Sequence, residues 1–365
     1  MIEVPAQGGS EHRLTSKRWA VVGEFGWTAD GRGLIANTIE EDAAHRDSQV
    51  EYIAYQGGET RRITADLNSY DGVSLTADAA ILATVQEKGA FDIWVAPVAD
   101  SGSAKPITSG GGSGRGASWS ADGDIVFDRL GGRAGTNVWR MRSDGANPTQ
   151  LTFDTRINEG ARVSPDNRYV VFVSNRTGTP HVWRLDTDGS NLKQLTDSPL
   201  DTLLWGSSLD FTPGGKWVLY SKDGPDWGIW KVSIQGGNPI RLNDTQYARY
   251  PAVSPDGKML AYAYDQSGTN AVAVMSLDGT TPEKHFHIIT RNLRWTPDSR
   301  SLLFVKNEGG VSNVWSQPIS GEPPKQITHF TSELISSFDL SRDGKQLVMN
   351  RGTANRDVVL IRDVR

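Results

Sequence analysis

Residues 253–263, which read Val-Ser-Pro-Asp-Gly followed by Lys-Met-Leu-Ala-Tyr-Ala, decide the fold. Ser-Pro-Asp-Gly suits a type I turn, because proline presets φ at the second position and glycine is favoured at the fourth. An apolar strand enters this turn and an alternating strand leaves it. The stretch therefore predicts a β-hairpin, whose two strands are named a and b.

The same pattern, an apolar residue followed by Ser or Thr, any residue, Asp and Gly, occurs eight times at intervals of 42 to 48 residues. Its copies are residues 27–31, 75–79, 119–123, 163–167, 211–215, 253–257, 295–299 and 340–344. Gly214 replaces the Asp once. Asn167 stands at the Gly position and tolerates positive φ, whereas Ala79 and Ser299 do so less readily. This regularity indicates a repeat architecture.

A second pattern follows each turn. Residues 137–141 (Asn-Val-Trp-Arg-Met) alternate like a strand, Asp144-Gly145 is a hairpin signal, and residues 149–152 (Thr-Gln-Leu-Thr) begin another strand. The pair recurs at 183–196, 230–242 and 315–328, and more loosely at 52–64 and 94–108. These strands are named c and d. Four short antiparallel strands per repeat are typical of a β-propeller blade.

The eight turns predict an all-β fold, an eight-bladed β-propeller forming a single domain over residues 1–365. A seven-bladed ring with one unit displaced is the less favoured alternative. Because the chain starts inside a repeat, its N-terminal outer strand is expected to close the ring by completing the last blade. Residues 2–5 are then surplus, as expected of a chain cut from a longer one. The predicted blades are 16–64, 65–108, 109–152, 153–196, 197–243, 244–290, 291–328, and 329–365 completed by 8–15.

Composition excludes several classes of function. The absence of Cys excludes a disulfide scaffold, a thiolate nucleophile and Cys-ligated zinc or iron–sulfur sites. A net charge of −5 offers no basic field for nucleic acid. No run of 18 apolar residues is present, so the sequence predicts no membrane contact by this chain.

The 12 Trp are the unusual count. Eight lie at repeat positions, before the a–b turn or in strand c, and are predicted to pack between blades: Trp27, Trp94, Trp119, Trp139, Trp183, Trp230, Trp295 and Trp315. Trp217, at the start of a strand b, is predicted to pack as well. The other three, Trp19, Trp205 and Trp227, fall in d–a or b–c connections. These connections share one end of every blade, here named the loop face, where function is commonly found.

The loop face supplies the predicted ligand-binding residues. Mixed charges with aromatic rings suit a protein segment or a small polar ligand. The predicted set is Arg18, Trp19, Glu24, Tyr70, Asp71, Arg115, Arg156, Asn158, Glu159, Trp205, Trp227, Tyr247, Arg249, Tyr250 and Arg291.

Catalytic and metal signatures are weak. His45-Arg46-Asp47 spells a kinase catalytic-loop tripeptide without the Asn or glycine-rich loop that should accompany it, so it is interpreted as an exposed loop. No Gly-x-Ser-x-Gly elbow occurs. His285 and His287 share one face of a strand d and could bind a metal, but an outer surface pair is the preferred interpretation. The sequence predicts no catalytic residue, metal or cofactor.

Longer strings resemble a known family. Residues 164–166 (Ser-Pro-Asp) with 172–178 (Phe-Val-Ser-Asn-Arg-Thr-Gly), Trp183 and 194–196 (Gln-Leu-Thr) resemble TolB-like, WD-repeat-like propellers. Residues 67–78, 310–318 and 338–347 are similar to the C-terminal propellers of acidobacterial-type transmembrane serine/threonine kinases. That resemblance implies a sensory or protein-binding propeller, joined in the family to an N-terminal kinase, and an extracytoplasmic location.

We therefore expect a non-enzymatic propeller that binds a protein or small polar ligand at its loop face, as the sensor domain of a receptor-type kinase. One alternative is a TolB-like periplasmic scaffold that docks a protein partner. Another is an enzyme at the channel mouth, such as a metal-assisted lyase or the propeller of a gated peptidase. A lyase site would need several His on the d–a connections, where only His329 lies nearby.

Overall fold

The computed structural model describes residues 1–40, 47–66, 68–131, 135–154, 156–197, 208–222, 226–266, 269–278 and 283–362. The regular secondary structure of these residues is almost entirely β-strand, with one short 3₁₀ turn at Ser101–Ser103. They form eight sheets, six of them four-stranded, and the strands pair antiparallel within them. The predicted all-β class of four-stranded antiparallel sheets is confirmed, and eight sheets are compatible with the predicted eight blades.

The structure divides into two compact units. The N-terminal unit comprises Met1–Gly89 and Ala354–Arg365, and the main unit comprises Ala90–Thr353. Each unit is described by itself. A single domain over residues 1–365 stays a prediction.

The N-terminal unit contains a two-stranded and a four-stranded sheet. The first consists of β1 (Ile2–Glu3) and β2 (His12–Arg13); the second consists of β3 (Trp19–Trp27), β4 (Gly33–Glu40), β5 (Gln49–Ala54) and β6 (Thr60–Arg62). A further hairpin pairs β7 (Ser69–Leu75) with the first part of β8 (Ile81–Pro97). Ile35, Val50, Tyr70 and Leu82 form a buried cluster between these sheets.

The main unit contains five complete four-stranded sheets, each in the order a–b–c–d. After β9 (Lys105–Pro106), sheet 1 comprises β10 (Ser113–Trp119), β11 (Asp124–Leu130), β12 (Thr136–Arg142) and β13 (Thr149–Gln150). Sheet 2 comprises β14 (Asn158–Val163), β15 (Tyr169–Ser174), β16 (His181–Asp186) and β17 (Lys193–Gln194). Sheet 3 comprises β18 (Asp210–Phe211), β19 (Trp217–Lys222), β20 (Gly228–Ser233) and β21 (Ile240–Arg241). Sheet 4 comprises β22 (Arg249–Val253), β23 (Met259–Gln266), β24 (Thr269–Ser276) and β25 (Lys284–Phe286). Sheet 5 comprises β26 (Leu293–Trp295), β27 (Ser301–Glu308), β28 (Val311–Pro318) and β29 (Lys325–Gln326).

Sheet 6 joins distant parts of the chain. It combines β30 (Leu334–Leu340) and the first half of β31 (Gln346–Arg362) with the second half of β8 and with β9. The predicted completion of the last blade by residues 8–15 is therefore wrong, since β2 pairs with β1 and the neighbour of β31 is β8. The physical reason is apolar burial: β8 supplies Trp94 and Ala96 to a cluster with Phe338 and Met349, whereas both residues of β2 are exposed.

Consecutive sheets of the main unit pack against each other. Strand β10 of sheet 1 contacts β14 of sheet 2 and β30 of sheet 6, and β22 of sheet 4 contacts β18 and β26. Apolar clusters fill the spaces between the sheets, as where Val171 and Val182 of sheet 2 meet Phe211 and Val218 of sheet 3.

The a–b turns follow the chemistry predicted for them, and each of the eight joins two paired antiparallel strands. In one copy the Ser254 hydroxyl donates to Asp256 at 2.6 Å and accepts the Met259 N–H at 2.8 Å. Asn167, Ala79 and Ser299 adopt φ of 60°, 52° and 59° at the glycine position, as expected.

The recurring Thr of strand d also has a structural role. Its hydroxyl accepts the N–H of a strand-c residue, as in Thr152 to Val138 at 3.0 Å and Thr328 to Val314 at 2.9 Å. In sheet 3 the side-chain oxygen of Asn243 takes the same place toward Ile229 at 2.8 Å. The side-chain oxygen thus accepts from a strand-c N–H that the backbone of the short strand d does not reach.

Candidate functional site

Three predicted residues meet on the loop face of the main unit and are named the Trp227 cluster. The rings of Trp227 and Tyr247 lie 4.4 Å apart with an interplanar angle of 50°, and the Arg249 guanidinium lies 5.6 Å from the Trp227 ring. Trp227 is half-buried, whereas Tyr247 is 47% exposed. Trp, Tyr and Arg are the residue types that most often dominate protein–protein binding energy.

The backbone presents this cluster in an unusual conformation. Tyr247 has φ of 58°, in the left-handed region that a bulky residue rarely adopts. Arg241 fixes the other side of the cluster, since its guanidinium donates to the Trp227 and Asn243 carbonyls, the latter at 2.8 Å. Gly228 is required beside them, because a Cβ there would meet the Asn243 carbonyl oxygen at 2.4 Å. Strained backbone of this kind is concentrated at functional sites.

Exposed apolar residues occupy other connections of the same face. Phe153 and Ile289, in two d–a connections, are 80% and 75% exposed, and Leu130 lies exposed at the end of a strand b. The sequence reasoning missed all three, because each continues an apolar strand pattern. The sequence signal for such exposed residues was an apolar residue that follows strand d, as Phe153 and Ile289 do, or that ends strand b, as Leu130 does. Together with the Trp227 cluster they give the loop face an apolar character.

Several other predicted residues serve the core. Asn158 is fully buried; its amide donates to Asp154 at 2.7 Å and to the Thr136 carbonyl at 3.0 Å, and its oxygen accepts from Arg176 at 2.6 Å. Burial lowers the pKa of Arg176, although Asp154 at 2.9 Å opposes this shift. These groups hold the connection between sheets 1 and 2 in place.

The remaining predicted residues of the main unit are dispersed. Tyr250, with φ of 56°, is buried in the sheet 4 cluster, and Glu159 is buried on β14. Arg156 lies half-buried near Asn158, while Arg291 is exposed between sheets 4 and 5. Trp205 and the side chain of Arg115 fall outside the described residues.

The predicted residues of the N-terminal unit form no common site. The Trp19 indole donates to Glu51 at 3.0 Å, Tyr70 is buried and donates to Asp66 at 2.8 Å, and Glu24 accepts the Val73 N–H at 3.3 Å. Burial, and then the Asp66 carboxylate, raises the pKa of Tyr70. Arg18 and Asp71 are exposed. Tyr70 is thus a core residue, in contrast to its predicted role as a ligand contact.

The strand-c tryptophans of the main unit are packing residues, as predicted, and carry an unforeseen partner. A cation from the end of strand b lies over each ring at 4.6 to 5.5 Å. The pairs are Arg129 with Trp139, Arg176 with Trp183, Lys222 with Trp230, Lys306 with Trp315, and Arg351 with Trp94. Such cation–π contacts hold the b–c ends of the sheets. Trp27 departs from the packing prediction, being 50% exposed against Tyr55.

A buried ion cluster links the a strands of four sheets. Arg162 lies 3.2 Å from Asp210 and 2.9 Å from Asp339, and Arg294 lies 2.9 Å from Asp339. Burial alone would raise the pKa of Asp339. The charges of Arg162 and Arg294 lower this pKa by more than burial raises it, so the net shift is downward. Asp339 also accepts the Trp119 N–H at 3.0 Å, and Asp210 the Val253 N–H at 2.7 Å. The cluster is paired internally, and its role is to fix the strands a.

His285 and His287 lie on strand β25 and in the connection that follows it. His285 accepts from or donates to the Tyr264 hydroxyl at 2.8 Å and lies 3.8 Å from Glu283. Over the described ranges of the chain, no group of three His, Asp or Glu side chains is placed to hold a metal ion. In the same residues, no helix is long and apolar enough to span a membrane.

Comparison with known proteins agrees with this architecture. Residues 79–249 match the family model described as the TolB beta propeller domain. An uncharacterized protein of Agrobacterium fabrum is 27% identical over 151 residues, which cover 39% of this chain and 49% of that protein. The chain thus spans about half the length of this curated relative.

Solved structures show the same fold. A TolB-type protein from Agrobacterium tumefaciens superposes with a TM-score of 0.58 at 16% identity, covering 73% of this chain and 99% of that one. TolB from Acinetobacter baumannii superposes with a TM-score of 0.53 at 14% identity, covering 91% and 80%. At these identities the likeness concerns the fold alone. The family model therefore identifies residues 79–249 as similar to the TolB beta propeller domain, and the repeat, the four-stranded sheets and these superpositions agree on a β-propeller fold.

Proposed function

We propose that this propeller is a protein-binding scaffold that docks a partner on its loop face through the Trp227 cluster. The observation that carries the proposal is a partly exposed Trp–Tyr–Arg group held by strained backbone. An aromatic pair offers a large contact area at little entropic cost, and Arg249 adds directional hydrogen bonds.

The surrounding surface supports docking of a protein in preference to a small molecule. Phe153 and Ile289 extend the apolar character of the face beyond the Trp227 cluster. A protein partner can cover separated apolar residues, whereas a small ligand is held in one concave pocket. The propeller itself is proposed to be non-enzymatic.

We further propose that docking is the sensing step of a receptor-type serine/threonine kinase. Its support is the resemblance of residues 67–78, 310–318 and 338–347 to the propellers of such kinases. The alternative, a scaffold without a kinase, uses the same docking surface and is supported by the TolB-like fold. The identity of the partner separates the two.

Site-specific crosslinking tests the docking proposal. Benzoylphenylalanine at position 247 should yield one dominant protein adduct in cells, and the adduct should disappear when Trp227→Ala is added. Ile240, on strand d of sheet 3, is 46% exposed, pairs with Lys231 in the middle of the sheet and lies outside the Trp227 cluster, so it is the control position. No adduct from position 247, or the same adduct from position 240, would refute docking at this face.

A further inference from the structure

An open recess lies on sheet 2, at the end of the sheet opposite the loop face. Its volume is about 510 Å³, within the range of small-molecule sites. It is lined by three cationic side chains, one carboxylate, one amide and one aromatic ring, from Arg168, Arg184, Lys193, Asp186, Asn191 and Tyr169. The recess is therefore positive in a chain whose net charge is −5.

The neighbouring repeat shows what is unusual about Arg184. In sheet 1 the equivalent residue, Arg140, also follows the strand-c Trp, and it pairs with Asp122 at 2.7 Å and Asp124 at 2.9 Å. Asp124 and Tyr169 are equivalent in register, since each faces the residue two positions after the strand-c arginine. Sheet 2 thus has an aromatic ring where sheet 1 has one of the two carboxylates that pair with the arginine.

Arg184 is consequently left with one distant carboxylate partner, Asp186. Its guanidinium stacks over the Tyr169 ring at 4.4 Å, and its nearest polar contacts are Gln235 at 3.4 Å and Asp186 at 3.6 Å. Nε of Arg184 is buried without a hydrogen-bond partner. The Asp186 carboxylate meanwhile accepts from Asn191 at 2.7 Å. A largely buried guanidinium with such long contacts is incompletely compensated.

The two other cations of the recess contact neutral groups. Arg168 is exposed and lies 5.3 Å from the Tyr169 ring, and the Lys193 ammonium donates to the Gln235 carbonyl at 2.8 Å. In the part of the chain that the structure describes, neither forms an ion pair with a carboxylate.

We propose that this recess binds an oxyanion, a carboxylate or phosphate group, between Arg184 and Lys193. A planar guanidinium beside an ammonium is suited to oxyanion recognition, since the first fixes two oxygens and the second adds a point charge. Asp186 lowers the positive charge of the lining but leaves it positive, because three cations face one carboxylate. The site is separate from the loop face, and its occupancy does not depend on docking there.

Isothermal titration calorimetry with citrate, inorganic phosphate and a glutamate-containing peptide, at constant ionic strength, tests this site. Binding of citrate or phosphate alone identifies a free small anion; binding of the peptide identifies an acidic protein segment. Arg184→Gln should weaken binding at least about tenfold, a change of about 1.4 kcal/mol. Lys193→Gln, on an exposed side chain, should weaken it without affecting folding.

Arg142→Gln is the matched control, because Arg142 is an exposed arginine of strand c in sheet 1, 3.6 Å from Asp144. It should leave binding unchanged. The proposal is overturned if none of the three probes binds at millimolar concentration. It is also overturned if Arg142→Gln weakens binding as much as Lys193→Gln does, since the attraction would then be a general charge effect.

Discussion

Asp339→Asn tests the ion cluster of the main unit most sharply. Asparagine keeps an oxygen for the Trp119 N–H and nearly the same volume, but it removes the charge and replaces the oxygen that accepts from Arg294 by an NH2 donor. Arg162 retains Asp210 at 3.2 Å, whereas Arg294 keeps only the Leu293 carbonyl, at 2.8 Å. One buried charge is therefore left uncompensated, which costs about 3–5 kcal/mol of unfolding free energy.

A loss of this size should lower the melting temperature by roughly 10 °C, followed by circular dichroism. Asp144→Asn is the control, because Asp144 is exposed and lies 3.6 Å from Arg142, and it should change stability by less than about 0.5 kcal/mol. Replacing both partners, in Asp339→Leu with Arg294→Met, should recover part of the loss, since no unpaired charge remains on Arg294. The reasoning fails if Asp339→Asn melts within about 2 °C of the wild type.

Three further predictions concern the threonine at the end of strand d, a glycine of a c–d turn and the pH dependence of the ion cluster. Thr152→Val removes a buried acceptor for the Val138 N–H and should lower the free energy of unfolding, measured in urea, by about 1–3 kcal/mol. Thr149→Val, at an exposed position of strand d, should lower it little. Equal effects of the two variants would refute the capping role of Thr152. Gly145→Ala should destabilise the protein more than Gly123→Ala does. Both glycines have positive φ, but only a Cβ at position 145 would meet a backbone oxygen, that of Ile107, at 2.5 Å. Equal melting temperatures of the two variants would contradict this. The pKa of Asp339 is depressed below its ordinary 3.8, so the stability it contributes is present above that pH and is lost as pH falls through the folded pKa. Between pH 5 and 2, Asp339→Asn should therefore show a shallower loss of stability than the wild type, and parallel curves would contradict the depressed pKa.

Local patterns were the predictable part of the fold. The a–b turns depend on residues within five positions of one another, so Ser254, Asp256 and Gly257 specify them without reference to the rest of the chain. The partner of β31 was mispredicted because it depends on apolar contacts between residues near 94 and near 349. Symmetry of the repeat alone did not contain that information.

The candidate site was predictable in part, because the repeat shows which residues fall in the connections of the loop face. Position in a d–a or b–c connection identified Trp227, Tyr247 and Arg249, which the fold brings together. The same criterion selected Tyr70 and Asn158, which are buried, because a connection's position in sequence does not fix its burial.

The ion cluster had a visible signal that was overlooked. Arg162, Asp210, Arg294 and Asp339 occupy one repeat position, two residues before the Ser or Thr of the a–b turn. Charged residues of both signs at an inward position of a buried strand indicate mutual pairing across repeats. Their pairing distances still required the structure, since Arg162 pairs with a residue 177 positions away.

The central claim is that the Trp227 cluster docks a protein partner, and the most direct test is the affinity of Trp227→Ala for the partner crosslinked from position 247. Loss of a docking anchor should cost at least about 2 kcal/mol, or roughly 30-fold in Kd, with an unchanged melting temperature. Ile240→Ala should bind like the wild type. Wild-type affinity of Trp227→Ala, or a loss matched by a lower melting temperature, would contradict the account.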